Sequence, residues 1–190
     1  YISIFSSINR ISHQKVLNNA VNQVEILSKS FIHNITESGK SISFNDYTRQ
    51  LSLSKVLSNR VTLSSYLKLN MDTIIKFSED IENISISDGE WFNSGTIFEQ
   101  PYYITTSLID NADIVSNQLG KIYFSAMKLS DKKIYGLVIP TFHDDLNNKL
   151  LYTVVQFFPN QLVESIESLN LDGNIFLVDN NKEIVASNNS

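Results

Sequence analysis

Between residues 4 and 35 the chain contains neither proline nor glycine, and its apolar residues return at helical spacing: Ile4, Ile8, Ile11, Leu17, Val21, Val24, Phe31 and Ile35. That pattern predicts one long amphipathic helix of more than about eight turns at 3.6 residues per turn. Gly39 stands where a C′ glycine would end it. Asn, Ser, Gln and Lys fill the remaining helix surface. The stripe has two uses: packing along a globular body, or, since its spacing is close to a heptad, a parallel dimer seam centred on Ile4, Ile8 and Ile11.

A second helical region is expected over residues 44–78, with Asn45 and Asp46 as candidate N-caps and a break near 58–62. From Ile81 the period drops to two. Ile84-Ser85-Ile86-Ser87 alternates, Asp88-Gly89 supplies a hairpin turn, and Glu90-Trp91-Phe92 resumes a β-prone run. A helical patch follows over 98–111. Three strands are then expected over 121–129, 134–142 and 150–158, joined by turns at 131–133 and 143–149. Pro159 opens a short helix with Leu162, Ile166 and Leu169 on one face. A last hairpin is expected from 174–178 and 183–186 around Asp179-Asn180-Asn181.

Composition narrows the function. The 190 residues carry a net charge of −5, with no basic run longer than Lys132-Lys133. Nucleic-acid binding, which needs a basic patch, is not expected. The sequence has no cysteine, so disulfides, cysteine-zinc sites and thiol nucleophiles are excluded. Three histidines, His13, His33 and His143, form no metal-spaced pair, and no metal or cofactor is expected. His143 lies beside Asp144 and Asp145 in what reads as a solvated turn. No G-x-S-x-G elbow occurs, and six dispersed glycines make no phosphate loop. Carboxylate pairs such as Glu79-Asp80 sit at helix ends, where solvation is their ordinary role. No catalytic residue is assigned, and the chain does not read as an enzyme.

The two outer hairpins resemble each other: Ile-Ser-Ile-Ser-Asp-Gly-Glu-Trp-Phe-Asn-Ser over 84–94, and Ile-Phe-Leu-Val-Asp-Asn-Asn-Lys-Glu-Ile-Val-Ala-Ser over 175–187. Such self-similarity is how tandem copies of one module show themselves. The first hairpin, a helix and three strands would make one five-stranded antiparallel sheet, and the last hairpin would open a second copy. This order of elements resembles the double Cache family, PAS-like extracytoplasmic sensors of bacterial histidine kinases, diguanylate cyclases and chemoreceptors. The resemblance is carried by residues 84–94, by Gly136-Leu137-Val138-Ile139-Pro140 as the fourth strand, and by "GNIFLVDNNKEIVAS" over 173–187 as the opening hairpin of a membrane-proximal unit.

The resemblance implies an α+β fold in which a long N-terminal helix packs beside a five-stranded antiparallel PAS-like sheet. Residues 1–80 would be the helical region, 81–158 the membrane-distal core, and 159–190 a connecting helix with the start of a second PAS-like unit. It implies a place on the periplasmic or extracellular face of the bacterial inner membrane, anchored by flanking segments beyond both ends of this sequence.

Family members that bind amino acids carry an Arg, then Trp and Tyr, then a strand Tyr and an Asp. Here Gln100 stands at the Arg position, Tyr102 at the Trp, and Tyr103 matches its Tyr. Tyr123 is the strand Tyr and Gln156 falls near the Asp. Losing both charged anchors points away from a standard amino acid as ligand. Trp91, Phe92, Phe98, Tyr102, Tyr103, Tyr123 and Phe124 fall where a PAS-like pocket would be lined, so Trp91, Phe98, Gln100, Tyr102, Tyr103, Tyr123 and Gln156 are the candidate ligand contacts. The expected function is signal sensing for a transmembrane receptor, with a small ligand read through the long helix. The competing reading is a protein-interaction or dimerisation module with a filled pocket, recognising a periplasmic partner.

Overall fold

A computed structural model describes residues 2–43, 60–88, 92–94, 102–116, 118–144, 149–169, 176–178 and 184–187. In chain order the elements are α1 (Ile2–Ser43), α2 (Arg60–Phe77), β1 (Ile81–Ser87), β2 (Phe92–Ser94), α3 (Tyr102–Asp110), β3 (Tyr123–Leu129), β4 (Lys132–Asp144), β5 (Lys149–Phe157), α4 (Asn160–Glu167), β6 (Phe176–Val178) and β7 (Ile184–Ser187). The architecture is α+β: a long N-terminal helix and an antiparallel sheet. Asn45, Asp46, the break near 58–62 and the 179–181 turn fall outside the described residues, as do the side chains of Ile4, Ile8, Ile11 and His13.

The chain divides into two compact units, one of Tyr1–His33 with Pro159–Ser190 and one of Asn34–Phe158. In the larger unit the sheet runs β2-β1-β5-β4-β3. Its pairs are all antiparallel. Of the five strands expected, β1, β5, β4 and β3 form the body, and three residues of the fifth are described at the β1 edge. The β3–β4 turn is tighter than the sequence suggested. Leu129 pairs with Lys132, so Ser130 and Asp131 alone make the connection, and Lys132-Lys133 belong to the strand. Ser130 takes a left-handed φ of 54° to close it. At the other end of β4, His143 and Asp144 pair with Leu150 and Lys149 as strand residues, not as a turn.

Register and pleat assign the two faces of this sheet. One face carries Ile84 and Ile86 of β1, Val155 and Phe157 of β5, Leu137 and Ile139 of β4, and Phe124 of β3. Phe124, Tyr135 and Phe157 form a ring cluster there, with centroids about 6 Å apart. The end of α1 lies on this face at Gly39. A Cβ built at Gly39 would stand 2.7 Å from Val155 Cγ2 and 3.1 Å from Ile139 Cδ1. The glycine read as a helix terminator is therefore a contact residue, and α1 continues past it to Ser43. A helical glycine costs roughly 1 kcal/mol against alanine, and close helix–sheet packing offsets it.

The opposite face is covered by α3. Ile104, Thr105, Leu108 and Ala112 are buried at helical spacing, and the apolar ones pack with Tyr123, Ile134, Val138 and Val154. Two hydroxyls pin the helix: Ser85 Oγ lies 2.9 Å from Thr105 Oγ1, and Ser125 Oγ donates to the Leu108 carbonyl at 2.6 Å. Gly136 faces the same helix, for a Cβ there would stand 3.0 Å from Leu108 Cδ1.

In the smaller unit, Ala20, Val24 and Phe31 of α1 and Leu162 and Ile166 of α4 are buried. Leu17 and Val21, expected on the packed stripe, are instead 63% and 56% exposed. Ala20 takes their place, because residues 20, 24 and 31 share one narrower face. Pro159 occupies the N-cap of α4, and its carbonyl accepts from the Val163 N–H at 2.8 Å. Strands β6 and β7 pair with each other in a separate two-stranded sheet.

Candidate ligand-binding site

The sheet face under α3 is polar along one line. Ser125 pairs with Gly136, Gly136 with Gln156, and Gln156 with Asn83, so these four residues form one row across β3, β4, β5 and β1. The next row holds Tyr123, Val138, Val154 and Ser85. Asn83, Ser85, Ser87, Thr105, Ser125 and Gln156 are all buried, the least of them only 2% exposed. A covered sheet face this rich in hydroxyls and amides has to satisfy them internally. Ser85 with Thr105, and Ser125 with Leu108, do so.

Gln156 does not. It is fully buried, and neither Oε1 nor Nε2 has a hydrogen-bond partner. A glutamine amide offers two donors and two acceptor lone pairs. Leaving such a group unmet costs about 1–3 kcal/mol. The Gly136 side of Gln156 carries no side chain, and the gap there is occupied by Leu108 of α3.

Of the other candidate contacts, Tyr123 shares this face and is 7% exposed. Its hydroxyl donates to the Ser116 carbonyl at 2.7 Å and accepts from the Ser116 N–H at 3.2 Å, which ties the segment before β3 to the sheet. Burial acts to raise the Tyr123 phenol. The bonds with Ser116 and the neighbouring Lys121 ammonium act against it and hold the group below the ordinary tyrosine value. Tyr152, on the same face two rows from Gln156, is pushed up, chiefly by burial and then by Tyr123.

Tyr102 and Tyr103 lie in the first turn of α3, 40% and 49% exposed. Trp91, Phe98 and Gln100 fall outside the described residues. Phe124, expected among the pocket aromatics, points to the α1 face, since adjacent strand residues cannot share a face. Sequence reasoning missed Asn83, Ser85, Thr105 and Gly136. The signal for the first two was a polar residue at alternate positions of an isoleucine-rich strand, which reads equally well as a solvated face. No cluster of His, Asp or Glu able to hold a metal occurs among the described residues.

Two solved structures share this fold. The chain superposes on the periplasmic domain of Vibrio cholerae LuxQ with a TM-score of 0.57 and 16% identity, over 89% of this chain and 77% of that one. It superposes on the sensory domain of the Campylobacter jejuni chemoreceptor Tlp3, solved with isoleucine bound, with a TM-score of 0.51 and 13% identity, over 93% of this chain and 74% of that one. No protein-family model and no curated protein sequence matches the chain. A sensory domain of this fold with isoleucine bound overturns the expectation that a standard amino acid is excluded as ligand. That expectation equated lost charge with lost recognition. A glutamine amide can donate to a carboxylate through Nε2 and accept from an ammonium through Oε1.

Proposed function

We propose that this chain is the extracytoplasmic, periplasmic sensor part of a bacterial transmembrane receptor of the double Cache type. It binds a small polar molecule, amino acids included, on the α3 face of its sheet. The observation that carries the reading is Gln156: a fully buried side-chain amide without a partner, in the middle of a covered polar sheet face. A buried polar group left unmet by the protein calls for a partner from outside it, and in this reading the ligand is that partner. The fold shared with the LuxQ and Tlp3 domains supports the same assignment.

In this reading, residues 81–158 are the membrane-distal sensing core, with 1–80 as its helical region. Residues 159–190 open a second PAS-like unit. Gln156 and Tyr123 contact ligand from the sheet, and Tyr102 and Tyr103 from α3; Trp91, Phe98 and Gln100 complete the proposed contact set. Helix α1 supplies residues to both compact units, up to His33 in one and from Asn34 in the other. It is the element through which a change at the sheet reaches the rest of the receptor.

The test is a thermal-shift screen of the standard amino acids and a panel of small polar metabolites against the 190-residue chain. At least one compound is expected to raise the melting temperature in a concentration-dependent way. No shift with any compound would remove the ligand-binding reading.

A further inference from the structure

We propose, resting on the sensor reading above, that Gln156 reads its ligand through a neutral edge that sets one hydrogen-bond acceptor beside one donor. This is the chemistry of a primary carboxamide or of a nucleobase. Both Oε1 and Nε2 of Gln156 are buried and unpartnered. A carboxylate alone would leave Oε1 unmet and an ammonium alone would leave Nε2 unmet, and meeting both with the two ionic ends of an amino acid would bring both charges into this row. An edge carrying both meets the two atoms with two parallel hydrogen bonds and leaves neither orphaned.

The surroundings point the same way. None of the buried residues described on this face is charged, so a ligand ion in this row would lose its hydration without an adjacent buried charge to replace it. The nearest hydroxyls on the face are already engaged, Ser85 with Thr105 and Ser125 with the Leu108 carbonyl. Gly136 beside Gln156 presents no polar side chain to compete for its amide. Asparagine and glutamine, which carry the carboxamide in their side chains, fall inside the proposed class. So do simple carboxamides and the edge of adenine.

Isothermal titration calorimetry with L-asparagine, L-glutamine, nicotinamide and adenine tests this, with L-aspartate, L-glutamate and L-isoleucine as the comparison set. Gln156→Met is the companion variant. At least one neutral-edge probe is expected to bind where its carboxylate counterpart does not. Gln156→Met should weaken that binding by roughly tenfold or more while raising the melting temperature of the unliganded chain, which also shows that the variant folds. Response to the amides or to adenine alone tells the carboxamide from the nucleobase source. Aspartate, glutamate or isoleucine binding that survives Gln156→Met would overturn the proposal and leave the sensor reading intact. Silence from every probe, with the variant still stabilised, would also overturn it, and the sensor reading would then rest on the wider metabolite screen.

Discussion

Single residues in this chain carry roles that their type does not announce. Gly39 looked like a stop signal and is a point of close approach. Gly39→Ala should therefore destabilise the fold by about 1–3 kcal/mol, the ordinary cost of overpacking, although alanine is the better helix former by roughly 1 kcal/mol. Chemical denaturation checks the sign, and Val155→Ala in the same chain should recover part of the loss by making room for the new methyl. Stabilisation by Gly39→Ala alone would show that the helix does not lie against Val155. Tyr123 invites a second measurement. With its phenol lowered by Ser116 and Lys121 and the Tyr152 phenol raised, Tyr123 should ionise before Tyr152 in an alkaline titration followed by ultraviolet absorbance. As an acid with a lowered value, it adds stability that is present above the unfolded tyrosine pKa and absent well below it. Tyr123→Phe should delete a phenolate step that precedes that of Tyr152, and Tyr152→Phe should leave that step in place.

At the scale of elements, the attachment of α3 to the sheet depends on buried polar pairs rather than on apolar area alone. Thr105→Val strands the Ser85 hydroxyl and should cost about 1–3 kcal/mol. The double variant Ser85→Ala with Thr105→Val removes both partners and should return most of that loss, so the cycle should show a coupling well above zero. Strictly additive losses would mean that the 2.9 Å contact contributes nothing. The same face shows what sequence could and could not reveal. Helix α1 and strands β3, β4 and β5 were legible because their periods differ and are long: 42 residues of helix, then runs of alternating or continuous apolar residues. The alternation in β1 was legible as a strand but not as a doubly covered one. Ser85 and Ser87 look the same in sequence whether water or α3 lies over them. Turn placement slipped by a residue at Ser130-Asp131, because the left-handed φ fell on a serine and not on a glycine or asparagine. Gln156 and Tyr123 entered the candidate set through family resemblance, whereas Asn83 and Gly136 depended on strand register that only pairing reveals.

Taken as a whole, the molecule places the unpartnered amide of Gln156 in the interior of one sheet and its separate hairpin in the other compact unit. Two strands of three and four residues are marginal by themselves in water. Hydrogen exchange should accordingly be faster at Leu177 and Val185 than at Val138 and Val154 in the middle of the larger sheet. Equal protection would mean that the hairpin is held as firmly as the core. The central claim is that the α3 face of the sheet around Gln156 receives the ligand, and the side-chain amide of Gln156 reports on it directly. Its two N–H resonances, assigned by Gln156→Met, can be followed by ¹⁵N–¹H correlation NMR during titration with whichever compound stabilises the chain. The account predicts that these signals, with the Asn83 amide, move furthest and saturate with the binding curve. Shifts that leave Gln156 still while Gly39 and Val155 on the α1 face move would contradict it.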